Sequence, residues 1–238
     1  MSKVPWVYCS QISNSKEMEL PKEELRHLLG PLRRREGSLI VLFDGFGLVA
    51  CARLTEIKKK TLSGWVEIVS RDYIKKPRRK ICVATALPKR DRQVVMLDFL
   101  TQLGITDFVP LSCTRSVARP SKNSFIRWKR ILIESCKQCN VAWLPTIHSE
   151  STPESLLEKR KKRKDELVLL ADENGQSAHK IENENRQSDQ LLIVGPEGGF
   201  TIKERDKIVK NGALPICLSE NNLRIEVAAI AIAALVGN

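Results

Sequence analysis

Leu191-Leu192-Ile193-Val194-Gly195-Pro196-Glu197-Gly198-Gly199-Phe200 is the stretch on which the fold turns. Four apolar residues, two of them β-branched, read as a short buried strand. Gly195 to Gly199, with three glycines, then halts any regular element. Thr201-Ile202-Lys203-Glu204 has the Thr-x-x-Glu form of a capping box, so a helix starts there. Strand, glycine loop and helix N-terminus together let a backbone approach a ligand closely. A tight strand-to-helix turn without a ligand is the other reading. No Gly-Lys-Ser/Thr follows, which excludes a P-loop, and the Gly-x-Gly-x-x-Gly spacing of a dinucleotide fingerprint is missing.

Working outward, strands and helices alternate from Ile81 onward. Ile81 to Ala86 reads as a strand, Arg92 to Leu103 as a helix stopped by Gly104, and Ile105 to Leu111 as a strand. Ser124 to Cys139 reads as a long helix with Ile126, Ile131, Leu132 and Cys136 facing inward. Leu156 to Lys164 is a helix ending in the cations Lys159 to Lys164, read as solvated, with RNA contact the alternative. Leu167 to Ala171 is a strand, and the polar stretch Asp172 to Gln190 is expected to be mobile in part. After the glycine loop come a helix over Ile202 to Asn211, a strand over Leu214 to Leu218 and a last helix from Arg224 to Leu235. This spacing predicts an α/β domain with a parallel sheet covered by helices on both faces. Ligands of such sheets sit at strand carboxyl ends, so Leu170-Ala171, Val194-Gly195 and Cys217-Leu218 become the candidate positions.

The first 75 residues differ. Met1 to Leu20 is an extended lead-in and Pro21 to Leu32 a helix with Leu25, Leu28, Leu29 and Leu32 in register. Ser38 to Phe43 and Leu48 to Ile57 flank the hairpin signal Asp44-Gly45-Phe46-Gly47, and Gly64 to Val69 is a further strand. Short strands and tight turns predict a small β-barrel, residues 1–75, ahead of a second domain, residues 76–238. The proline-containing basic break Lys75 to Lys80 marks the boundary.

Forty Lys and Arg against 28 Asp and Glu give a formal net charge of +12, which makes nucleic acid or an anionic surface the leading partner class, with a solubility device as the alternative. Arg33, Arg34 and Arg35 with Lys58 to Lys60, Lys75, Lys76, Arg78 and Arg79 are the candidate phosphate contacts, and a solvated linker is the alternative for the last group. Met1 to Ser10 lacks a signal-peptide pattern, and the longest apolar run, Val227 to Val236, is about half of a membrane span. A cytoplasmic protein without membrane contact is therefore expected. Seven scattered cysteines suggest reduced, packed thiols; Cys136-x-x-Cys139 has no second pair at zinc spacing, so no metal is expected.

Val41 to Gly45, Leu103-Gly104-Ile105, Pro110-Leu111, Gln138-Cys139, Pro145, Ile193 to Phe200, Glu204 and Leu218 with Leu223-Arg224-x-Glu226-x-Ala228 form one pattern. Over nearly its whole length the chain resembles the RsmE family, uridine N3 methyltransferases of small-subunit (16S) ribosomal RNA in the SPOUT superfamily. The resemblance implies a PUA-like RNA-binding β-barrel joined to an α/β domain with a carboxyl-terminal trefoil knot, a homodimer, and S-adenosylmethionine bound without a metal. It places the cofactor at Leu170, Ala171, Gly195, Pro196, Glu197, Gly198, Gly199, Leu218, Ser219 and Leu223. Arg115 joins the RNA contacts. Arg224 is the candidate catalytic group, stabilising the anion that develops on uracil or binding phosphate; a helix-terminal pair with Glu226 or Glu220 is the alternative. Glu197 and Glu226 are expected to hold loop N–H groups.

Several positions depart from the family pattern: Gln102 where an acid is usual, Lys137 in place of an acid, Asn140, Ser219 in place of glycine, and Ile225 and Val227 in place of threonines. Two readings follow, an active methyltransferase and a non-catalytic or retargeted RNA-binding member.

Overall fold

The computed structural model describes residues 4–160, 165–177 and 188–236. The chain divides into two compact units, Met1–Lys76 with Cys136–Leu144, and Pro77–Ser135 with Pro145–Asn238.

In the first unit, β1 (Trp6–Tyr8), β2 (Glu17–Glu19), α1 (Lys22–Leu29), β3 (Leu39–Phe43), β4 (Leu48–Lys58) and β5 (Ser63–Tyr73) follow in order. They build one sheet in the order β1-β3-β4-β5-β2, antiparallel except for β1 on β3. Alternation on β4 turns Ala50, Ala52 and Leu54 into a core shared with Ile40, Leu42, Val66, Leu25 and Leu28. The helix ends at Leu29, short of the expected Leu32, which is exposed. Gly30-Pro31 explains the difference, because a proline cannot donate to the helix ladder and disfavours α geometry before it.

In the second unit, β6 (Ile81–Ala86), α2 (Arg90–Gln102), β7 (Asp107–Leu111), α3 (Lys122–Cys139), β8 (Thr146–Ile147), α4 (Pro153–Arg160), β9 (Glu166–Ser177), β10 (Asp189–Val194), α5 (Ile202–Lys210), β11 (Leu214–Cys217) and α6 (Ile225–Val236) follow, the last turn of α3 grouping with the first unit. Six parallel strands lie in the order β11-β9-β10-β6-β7-β8. Every residue of β6 is buried, so both faces of the sheet are covered there. The helix α6 packs on α2, β10 and β6. Among the described residues no helix is long and apolar enough to cross a membrane.

Three local expectations are corrected. On α3 the buried side chains are Trp128, Leu132, Ser135 and Cys136, whereas Ile126 is exposed and Ile131 half-buried. Trp128 sets that face: its ring meets Phe108 and Phe125, and its Nε1 donates to Gln93 Oε1 at 3.1 Å. Asp172 to Ser177 is not loop but the continuation of β9, held by pairing of Gln176 with Ile216 and Ser177 with Cys217. Arg160 is not solvated; it pairs with Glu166, their side chains 10% and 3% exposed. The rest of that cationic run, 161–164, and the polar stretch 178–187 lie outside the described residues.

Candidate functional site

The strands β9, β10 and β11 are neighbours, and their carboxyl ends open on one cavity of about 520 Å³. Its walls are Ala171 to Asn174, Val194 to Phe200, Arg205, Leu218, Ser219, Asn221 to Leu223, Ile225 and Ala228. The three candidate strand ends thus meet. Leu170 is fully buried beneath the cavity without lining it, and Arg224 does not line it either.

Each wall has a local cause. Beyond Leu170, paired with Ile193, β9 parts from β10. On its other side β11 pairs Pro215 with Leu170 and then Ile216 with Gln176, so 171–175 bulge from that ladder and 171–174 line the cavity. Gly175 allows this: a Cβ there would stand 2.4 Å from the Ile216 nitrogen. Arg205 of α5 pairs with Asp172 and fixes the bulge's position. In the glycine loop, Gly199 N–H donates to Pro196 O at 2.8 Å and closes a turn. Phe200 folds back over Gly195, where a Cβ would stand 2.8 Å from its ring. The expected capping box forms: Thr201 Oγ1 accepts from Glu204 N–H, and Glu204 Oε2 accepts from Thr201 N–H at 2.9 Å. Glu204 Oε1 also accepts from Thr114 N–H at 2.8 Å. Burial alone would raise the Glu204 carboxyl, but these donors outweigh it and hold the group below its ordinary value. On the third wall, Ser219 Oγ accepts from Asn221 N–H at 3.1 Å, so the serine that replaces glycine shapes this loop.

Arg92 on α2, which sequence reasoning passed over, joins two of these walls. It reaches Glu197 of the glycine loop at 3.3 Å and Glu226 of α6 at 3.5 Å. The two glutamates therefore meet a guanidinium rather than the loop N–H groups expected for them. Glu226 is committed, and Arg224 stands exposed without an ion pair among the described residues, so the helix-terminal pair is absent. Arg115 donates to Gly198 O at 2.6 Å, which brings it to the outer side of the glycine loop.

The remaining basic candidates separate. In the first unit, Arg33, Arg34 and Arg35 face Lys58, Lys59 and Lys60 across a groove of about 990 Å³. Glu36 Oε1 accepts from Ile57 N–H at 2.8 Å and ties the two sides together. Lys75 and Lys76, exposed after β5, do not line it. In the second unit, Arg78 is exposed and Arg79 half-buried.

The other departures find physical settings. Lys137 pairs with Glu24 at 3.0 Å, the two side chains 7% and 12% exposed, which accounts for a base at that position. Asn140 has φ 58° and ends α3, with Val141 N–H donating to Cys136 O at 3.1 Å, the pattern of a helix ended by a left-handed residue. Gln102 and Val227 are exposed, while Ile225 is buried at the cavity wall. None of the seven cysteines forms a disulfide, and burial pushes the Cys113 and Cys136 thiols up to about 12. His148, 41 residues from Asp107 in sequence, meets its carboxylate at 2.6 Å. Among the described residues no three His, Cys, Asp or Glu side chains are grouped to hold a metal.

Residues 75–237 match the family model of the RNA methyltransferase domain. A ribosomal RNA small subunit methyltransferase E of Rickettsia conorii is 30% identical over 228 residues, 93% of this chain and 89% of the relative. The chain belongs to the ribosomal RNA small subunit methyltransferase E family. A second member, from Synechocystis, is 29% identical over 86% of this chain and 67% of its own length. The member from Neisseria gonorrhoeae, whose crystal structure is bound to S-adenosyl methionine, superposes with a TM-score of 0.85 at 27% identity, over 98% of this chain and 96% of that one. The family pattern had drawn attention to the three walls but not to Arg92, Asp172 or Arg205, whose partners are remote in sequence.

Proposed function

We propose that this chain is an S-adenosylmethionine-dependent methyltransferase that modifies N3 of a uridine in small-subunit ribosomal RNA. The observation that carries the proposal is the single cavity at three adjacent strand ends, in a chain of this family. Its volume falls in the range of about 300–1,000 Å³ that small ligands occupy. The donor set fits the cofactor: backbone from Gly195 to Gly199, apolar walls from Leu218, Leu223, Ile225 and Ala228, and carboxylates at Asp172 and Glu173. Pro196, Glu197, Gly198, Ser219 and Ala171 complete the proposed set, with Leu170 supporting it from below.

Bound there, the cofactor supplies an activated methyl group on a sulfonium. The chain's own work is alignment and exclusion of water. Arg224, exposed and without an ion pair among the described residues, is available to stabilise negative charge developing on uracil as N3 loses its proton. Arg115 at the glycine loop, Arg33 to Arg35 at the groove, and Lys75, Lys76, Arg78 and Arg79 hold RNA phosphate in this reading. It includes a PUA-like RNA-binding first domain of residues 1–75, a SPOUT domain of residues 76–238 with a trefoil knot, and a cytoplasmic homodimer. The knot is supported by the strand order, in which β10 enters between β9 and β6 before β11 crosses to the far side of β9. The dimer is supported by exposed Val95 and Phe99 on α2 and Val227 on α6.

A second reading, an RNA-binding member without transfer, is favoured by one observation: Ile225 presents an apolar side chain at the cavity wall where the family pattern has a hydroxyl. Titration calorimetry with S-adenosylmethionine separates the two. The proposal expects saturable binding, weakened by Gly198→Val and unchanged by Arg224→Ala. A folded protein that releases no heat with the cofactor removes the methyltransferase reading.

A further inference from the structure

An aromatic surface in the first unit extends the RNA-modifying reading, on which it rests. The turn between β3 and β4 is locked. Asp44 Oδ1 accepts from Phe46 N–H at 2.7 Å and from Leu48 N–H at 3.1 Å, and Gly45 and Gly47 flank Phe46 with φ of 83° and 100°. This rigid tip holds Phe46 66% exposed. Trp143 backs it: Leu144 N–H donates to Gly45 O at 3.0 Å, Gly47 N–H donates to Ala142 O at 3.2 Å, and a Cβ on Gly47 would stand 2.7 Å from the indole. The indole Nε1 donates to Ile74 O at 2.8 Å. Tyr73 meets the same indole edge-on, centroids 6.0 Å apart, and stays 57% exposed. Lys76 Nζ lies 5.4 Å from the indole centroid, and Lys75, its neighbour in sequence, is exposed.

We propose that Phe46, Tyr73 and Trp143, with Lys75 and Lys76, form a stacking platform for unpaired bases of a single-stranded RNA segment. Every base offers a π-face to an aromatic ring, and the ammonium groups suit the phosphates between bases. Two lysines match the two nearby acids in charge, and both acids turn an oxygen to the backbone. Asp44 Oδ1 accepts from Phe46 and Leu48 N–H, and Asp72 Oδ1 accepts from Tyr73 N–H at 2.7 Å. The platform's exposed rings stand with two lysines and one exposed aliphatic side chain, Ile74, which favours RNA over an apolar protein face. Leu48 pairs with Tyr73 at this end of the β4–β5 hairpin, and Lys58 with Ser63 at the other. The basic groove is therefore roughly 30 Å along the strands from the platform. The groove takes phosphate charge and the platform takes bases.

Fluorescence anisotropy with a single-stranded RNA of about 12 nucleotides, and with a duplex of the same length, tests this. Phe46→Ala and Tyr73→Ala each weaken single-strand binding about tenfold and leave duplex binding unchanged. The slope of log K against log salt also stays unchanged, because no phosphate contact is lost. Phe46→Trp binds as the wild type does, and Phe46→Leu binds as Phe46→Ala does. Undiminished single-strand binding by the Phe46→Ala, Tyr73→Ala double variant overturns the platform, as does an equal loss on duplex, or a wild type that binds no RNA. Cofactor calorimetry on the same proteins is a separate readout. If heat with S-adenosylmethionine persists while stacking fails, only the platform falls; if the cofactor heat is missing, the enzyme reading falls and the RNA titration still decides the platform.

Discussion

One guanidinium joins a carboxylate that lines the cavity to one on α6 that does not. Arg92 holds Glu197 and Glu226, and the Glu226 side chain is only 9% exposed. Arg92→Ala leaves that carboxylate without its cation and is expected to cost about 1–3 kcal/mol, read as a lower urea midpoint. Arg92→Lys keeps the charge but not the fork, and recovers part of the loss. Glycines divide in the same way. At Gly175 an added Cβ meets the Ile216 backbone at 2.4 Å, so Gly175→Ala is expected to cost about 1–3 kcal/mol or more in thermal unfolding. At Gly198 the nearest atom is Arg115 Cδ at 3.5 Å, so Gly198→Ala is close to neutral in the same measurement. Sequence drew attention to Glu197, Glu226 and the glycine loop. It carried no sign of Arg92, because Glu197 lies 105 residues away and an arginine within the charged run Lys89 to Arg92 has no local pattern that names its partner.

At the level of elements, local chemistry was the most legible. The Thr201–Glu204 box and the Gly104 stop behind α2, with φ 79°, are fixed by residues within a turn of one another. The box also carries a pH dependence. Hydrogen bonds from Thr114 and Thr201 hold the Glu204 pKa below its unfolded value of about 4.3. The stabilisation is thus complete above that pH and is lost as pH falls through the depressed folded value. Unfolding free energy followed from pH 6 down to about 3 should fall less steeply in Glu204→Gln than in the wild type. Elements set by remote partners were the ones misread. Asp172 to Ser177 is polar and reads as loop, yet pairing with β11 keeps it in β9. Ile126 is apolar and reads as core, yet the Trp128 contacts rotate α3 so that it faces water.

For the whole molecule, alternation of period gave the parallel sheet, and the net charge of +12 pointed to nucleic acid or an anionic surface. The grouping of Cys136–Leu144 with the first unit was not readable, since the segment begins inside the last turn of α3, where the helical pattern up to Cys139 shows no break. The groove between Arg33 to Arg35 and Lys58 to Lys60 concentrates charge that the chain spreads over separate segments. Neutralising Arg33 and Arg35 together is expected to lower the salt slope of single-stranded RNA binding by about 1.4, at roughly 0.7 per phosphate contact, without sequence preference. The most direct test of the account is transfer of labelled methyl groups from S-adenosylmethionine to small ribosomal subunits purified from a strain lacking this protein. The account predicts incorporation at one uridine, recovered after digestion as N3-methyluridine and abolished by Arg224→Ala. No incorporation by the folded protein, or label recovered only in another nucleoside, would contradict it.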